Sequence, residues 1–241
     1  VNEVASVTSA PASLWPRRSL LARLEESERV ELLSLGTRAV FPSQHVLIRQ
    51  GGEDDYVILL TKGLTKVVVD AENGCEVLLA IRSGGDLVGE MASLEAERRS
   101  ATVISCVKTA TRLIPAEVFA TFLRGHPHAH YQVTRMLSQR LRFANDQRVA
   151  FAALPALACT ARVLVEVANT YGHRAEEGQW NLGLSLSRRD IAAFAGVSLS
   201  SAEKSLHRLQ ESGVIIRRSR SVVITDMPGL RNFAAGHDRK P

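Results

Sequence analysis

LSRRDIAAFAGVSLSSAEKSLHRLQESGVI, residues 186–215, is the stretch from which the rest of the chain is read. Ile191, Ala195, Val197, Ala202, Leu206 and Leu209 fall where two short helices can bury them against each other across a tight Gly196-Val197 turn. Ser187 with Asp190 three residues on is a capping box for the first helix, and Ser200 with Glu203 repeats that spacing at the second. The pattern predicts a helix-turn-helix, with helices over Arg188–Ala195 and Ser198–Ser212 and Gly213 stopping the second. A short extended piece, Leu184–Leu186, precedes it.

The second helix would turn Ser198, Leu199, Ser200, Ser201, Lys204, Ser205 and Arg208 outward, and the major groove of DNA admits a helix of this size. Lys204 and Arg208 lead as base-edge readers, with Ser200 and Ser201 next; Arg188, Arg189 and His207 suit phosphate. After Gly213 come VII and VVIT on either side of Arg217, Arg218 and Arg220, which predicts a β-hairpin with a basic turn placed as a wing. The plainer reading makes these arginines a solvated turn. From Leu184 to Val222, seven basic residues face three acidic ones, so this segment holds +4 of the chain's formal +5. The charge is concentrated where a polyanion would be met.

Upstream, Ala161–Tyr171 reads as helix, Gly172–Trp180 as a polar loop, and Pro155 as a boundary. From His130 to Phe151 apolar residues recur at Val133, Leu137, Leu141, Ala144 and Phe151, a long helix whose stripe suits a parallel pair between two subunits. The alternative is a helix lying on its own sheet. Pro115-Ala116-Glu117 starts an earlier helical stretch that Pro127 interrupts. Between Ala39 and Leu113 the runs VFPSQHVLI, DYVILLTKG, TKVVVDA, EVLLAI and ATVISCVKTATRLI alternate with turn signals, Asn73-Gly74 and Gly84-Gly85-Asp86 among them. Many short strands so spaced predict a sandwich or barrel. Trp15–Leu33 carries one or two short amphipathic helices before them.

The 241 residues are 45% apolar and 23% charged, which excludes a disordered chain and allows two modest domains. Cys75, Cys106 and Cys159 are odd in number and far apart, so neither a disulfide framework nor a cysteine-rich metal cluster is expected, and a cytoplasmic setting fits. Cys106, in an apolar strand, reads as core filling. No signal peptide and no run of about 20 apolar residues is present, so no membrane partner is expected. His126, His128 and His130 alternate around Pro127, a poor arrangement for a shared metal.

With Gly51, the run Tyr56–Gly63, the Gly84–Glu90 stretch and the helix-turn-helix in this order, nearly the whole chain resembles the cyclic-AMP receptor protein and fumarate-nitrate regulator (Crp/Fnr) family of bacterial transcription regulators. The resemblance implies an α+β architecture: a β jelly roll that binds an effector over residues 14–125, a dimerisation helix over 126–153, and a winged helix-turn-helix over 156–232. It implies a homodimer on a near-palindromic operator, with RNA polymerase as a further partner if the protein activates. The family's reading helix opens with an Arg-Glu pair; here Leu199 and Ser200 stand in those places and Lys204 at the later arginine, so a different operator is expected.

GGDLVGEMASLEAERRSAT, residues 84–102, supplies backbone amides, a serine, an arginine and a carboxylate in the proportions a cyclic nucleotide needs. By resemblance Glu90 is the ribose ligand and Arg99 and Ser100 the phosphate ligands, with Gly89, Met91 and Ala101 beside them and Ala144 and Asn145 at the base contacts of the long helix. Ala92 replaces a family glycine, and Ala144 and Asn145 replace a Thr-Ser pair. These departures leave the effector open: cyclic AMP, another nucleotide, a different small molecule, or a vestigial pocket. Alternatively, Arg98 and Arg99 pair with Glu95 or Glu97 on a solvated loop. No cysteine precedes Cys75, so no iron-sulfur cluster is expected, nor a haem. A jelly-roll enzyme would want several strand histidines and carboxylates, whereas the β region offers His45 alone.

Overall fold

The run Tyr56–Leu60 reads YVILL without a polar break because its strand is buried on both faces. A computed structural model describes residues 14–70, 76–95, 97–174, 179–182, 186–218 and 221–237. Within it the chain divides into two compact units between Leu141 and Arg142.

In the first unit α1 (Leu20–Arg23) and α2 (Glu26–Ser34) precede β1 (Thr37–Phe41), β2 (Val46–Ile48), β3 (Tyr56–Lys62), β4 (Leu64–Asp70), β5 (Glu76–Ser83) and β6 (Leu87–Val88). A short α3 (Glu90–Glu95), β7 (Thr102–Ser105), β8 (Thr109–Pro115) and α4 (Ala116–Gly125) follow. The strands form two four-stranded sheets, β1-β8-β3-β6 and β2-β7-β4-β5, with every pairing antiparallel. This is the jelly roll. Ile58 and Leu60 of β3 meet Leu47, Ile48 and Val103 of the second sheet. Val57 and Leu59, on the opposite face of β3, pack with Leu20, Leu21, Leu32, Phe119 and Phe122 of the flanking helices.

Helix α5 (Pro127–Ala153) runs 27 residues. Pro127, expected to interrupt, occupies its first position, where a missing N–H costs nothing. The boundary read at Pro155 marks the start of α6 (Ala156–Tyr171), whereas the compact division falls earlier, inside α5. In the second unit β9 (His173–Arg174) and β10 (Trp180–Asn181) replace part of the loop expected over Gly172–Trp180. Then come α7 (Arg188–Ala195), α8 (Leu199–Glu211), β11 (Ile215–Arg218), β12 (Ser221–Ile224) and α9 (Met227–Ala234). The sheet order is β11-β12-β10-β9. Leu184, Ser185, Cys75, Asn73, Gly74 and Arg220 lie outside the described residues. Among those described, no helix is long and apolar enough to cross a membrane. Cys106 is half-buried just past β7 rather than core filling.

The histidines at the α4–α5 joint are taken by carboxylates of α2. His126 Nε2 lies 3.3 Å from Glu31, and His128 Nδ1 lies 2.7 Å from Glu28 Oε2. Glu28 also accepts from the Ala129 and Glu25 amides, at 2.9 and 3.0 Å. Burial pushes this carboxyl up, but the bonds from His128, Glu25 and Ala129 outweigh it and hold Glu28 below the ordinary carboxylate range. A depressed folded value means that ionised Glu28 stabilises the fold above the unfolded carboxylate range, and that this is lost as pH falls through the folded value. Glu28→Gln is thus expected to cost about 1–3 kcal/mol at pH 7. Melting curves of both proteins should converge in acid; a gap that persists at pH 3 would assign the loss to packing.

Candidate effector cradle and nucleic-acid interface

Within the first unit the fold brings Gly89, Glu90 and Arg99 of the expected effector residues together. Gly89, at φ +78, turns the chain out of β6 into α3; a Cβ there would lie 2.8 Å from Arg99 Nη1 and 2.7 Å from Ile48. The glycine lets the arginine approach. Arg99 is 3% exposed and donates through Nη1 to the Gly89 carbonyl at 2.7 Å and through Nη2 to the Tyr56 carbonyl at 2.6 Å. Its guanidinium carbon stands 5.0 Å from the centre of the Tyr56 ring. Its backbone exchanges hydrogen bonds with the Gly51-Gly52 turn: Gly51 N to Arg99 O, 2.8 Å, and Arg99 N to Gly52 O, 2.9 Å. The Gly51, Tyr56 and Gly89 signals therefore converge on one arginine. Its Nε is buried without a partner.

Glu90 is 4% exposed, and its Oε1 accepts from Arg140 of α5 at 2.5 Å; Arg140 Nη2 also donates to the Leu87 carbonyl at 2.9 Å. Beneath them Asp86 is enclosed, and burial raises its carboxyl above the ordinary range against the pull of Arg140 and Arg82. Ser100 and Met91 are exposed and Ala101 is buried. Ala144 and Asn145 are exposed and belong to the second unit. The pairing with Glu95 or Glu97 does not form: Arg98 reaches Glu53 at 2.7 Å, and Arg99 turns inward to carbonyls. A cleft of about 550 Å³ is lined by Glu53, Asp54, Asp55, Glu97 and Glu117 with Arg98 as its one cation among the described residues, a net acidic setting that disfavours an anion, and includes neither Glu90 nor Arg99. Sequence reading missed Arg140, since α5 holds four arginines and only the fold singles one out.

The stripe read on α5 needs correction. Val133 is 2% exposed within the first unit's core, so it is not free for a partner, and the half-buried Leu137 packs against that core. Leu141 remains 64% exposed and Ala144 is exposed. Phe151, 45% exposed, also meets Gly196: a Cβ on that glycine, at φ +62, would lie 2.8 Å from the ring. Phe143 stands 5.9 Å from Phe194, and Gln147 donates to the Phe194 carbonyl.

The helix-turn-helix forms with one change at its second cap. Ser187 and Asp190 make the capping box of α7. Ser198, not Ser200, caps α8, its Oγ accepting from Ser201 N at 3.1 Å, and Glu203 pairs with Arg188 at 3.0 Å. Leu199, Ser200, Lys204 and Arg189 are exposed, as is His207, which lies 3.3 Å from Glu211. Ser205 is buried, against expectation, and donates to the Ser201 carbonyl. Arg208 is half-buried. On β11, Arg217 is half-buried and Arg218 exposed, as strand alternation requires of neighbours.

Residues 38–126 match the cyclic nucleotide-binding domain family and residues 160–233 the Crp-like helix-turn-helix domain family. The CRP-like cAMP-activated global transcriptional regulator of Mycobacterium tuberculosis is 24% identical over 194 residues, 80% of this chain and 86% of that one. The cyclic AMP receptor protein of Thermus thermophilus is 25% identical over 210 residues, 87% of this chain and 94% of that one. Among solved structures, the c-di-GMP responsive global regulator CLP of Xanthomonas campestris shares the fold at TM-score 0.70, with 20% identity over 84% of this chain and 100% of that one.

Proposed function

This chain belongs to the Crp/Fnr family of bacterial transcriptional regulators, and from that premise we propose that it works as a homodimer whose jelly roll takes an anionic effector, cyclic AMP first among candidates, to control binding to a near-palindromic operator. It is a DNA-binding regulator with a ligand-binding jelly roll, and not an enzyme. The observation that carries the effector reading is Arg99: a guanidinium 3% exposed, with an unpartnered Nε, beside the exposed Ser100 and the carboxylate of Glu90. A ligand phosphate would draw on Arg99 and the Ser100 hydroxyl, and Glu90, oriented by Arg140, would accept from a ligand hydroxyl. The relatives named for cyclic AMP support this choice.

Dimerisation is supported by apolar surface that α5 retains after folding, with Leu141 64% and Val149 67% exposed. An effector can shift DNA affinity only by preferring one arrangement of the DNA-binding units. RNA polymerase would be the partner of an activating form.

Calorimetry with cyclic AMP and cyclic GMP tests the pocket. Binding to the wild type that weakens in Ser100→Ala and is lost in Arg99→Ala is expected; no binding to the wild type would overturn a cyclic-nucleotide effector. For DNA, preference for its own promoter region over random duplex, falling with salt, is expected, and its absence with and without cyclic AMP would overturn the operator reading. Arg189→Ala should weaken binding to all sequences alike and reduce the salt slope by about one per protomer.

A further inference from the structure

We infer that Leu199 reads the 5-methyl group of a thymine in each operator half-site. The inference rests on α8 being the DNA-reading helix. In such a helix the amino-terminal residues meet base edges, and at this end of α8 the Ser198 hydroxyl is already engaged. Ser198 Oγ accepts from Ser201 N, and it lies 3.1 Å from Ser200 Oγ and 2.9 Å from Ser201 Oγ. The first of those bonds closes the cap, so reading a base through Ser198 would compete with the bond that starts the helix.

Charge gives the same result. Glu203, one turn along from Leu199, is paired with Arg188 at 3.0 Å, which neutralises the acid nearest to it. The first turn, Leu199–Ala202, holds no lysine or arginine, so it lacks the bidentate donor that guanine recognition uses. Beside the exposed Ser200, its apolar outward group is the Leu199 side chain, 39% exposed at the first helical position. A single exposed leucine signals nothing by its exposure, but its place does. In the major groove the apolar feature of a base edge is the thymine methyl. Leucine there would gain contact at thymine and leave a donor or acceptor of any other base unsatisfied.

The test uses the full chain, wild type and Leu199→Ala, with operator sequences selected from a random pool in the presence and absence of cyclic AMP. Each thymine of the selected half-site is then replaced by uracil, which lacks only the methyl group. At one thymine per half-site, uracil is expected to weaken the wild type about fourfold, the worth of one buried methyl, and to leave Leu199→Ala unchanged. Leu199→Ala should melt with the wild type, since its side chain is surface and alanine suits a helix. A selected site at which uracil is tolerated everywhere, or at which the penalty persists in Leu199→Ala, would overturn the inference alone. Selection of no sequence by the wild type would overturn the reading of α8 itself.

Discussion

Arg140→Leu is expected to cost about 3 kcal/mol or more, on the order of 10 °C in melting temperature. The side chains of Arg140 and Glu90 are 19% and 5% exposed, so removing the guanidinium strands a buried carboxylate and leaves the Leu87 carbonyl without its donor. Cancelling both charges is a different matter, because desolvation then costs nothing. The double variant Glu90→Leu with Arg140→Leu should recover most of the loss and, on the proposed role of Glu90, bind no effector. Thermal melts of the four proteins in the cycle measure this. Equal melting of Arg140→Leu and the wild type would show that the pair carries no net stability.

At Gly196 the expected damage is to DNA binding. Valine there must adopt φ near +62, a conformation β-branched residues avoid, and its Cβ would lie 2.8 Å from the Phe151 ring. Strain and overpacking together should cost about 3 kcal/mol in the second unit, displace α8 relative to α7, and lower operator affinity more than tenfold. Gly196→Ala combined with Phe151→Ala separates the causes. The truncated ring removes the clash but not the φ strain, so partial recovery relative to Gly196→Ala is expected. Hydrogen exchange across α7 and α8 reports it directly; protection in Gly196→Val equal to the wild type would refute the account.

The order of elements was legible because each is written in local chemistry. Ser187 and Asp190 are three residues apart, Gly196 sits where a left-handed turn is needed, and Tyr56–Leu60 has no polar residue because both faces of β3 are covered. Less was legible where a residue has rivals of the same type nearby. Ser198, Ser200 and Ser201 all offer a hydroxyl at the start of α8, and the backbone path makes Ser198 the cap. Periodicity placed Val133, Leu137 and Leu141 on one helix without saying what covers them, and the first unit's core takes the first two.

By itself the sequence determined a strand-rich sandwich or barrel, the long helix, the helix-turn-helix and the concentration of positive charge near it, because turns, caps and hydrophobic period act over a few residues. Only the tertiary structure decided that Arg140 holds Glu90, that Arg99 turns inward to the carbonyls of Gly89 and Tyr56, and that Phe151 braces Gly196. Each of these joins residues about ten to fifty positions apart, and which of several chemically equal side chains makes the contact depends on the packed path of the chain between them.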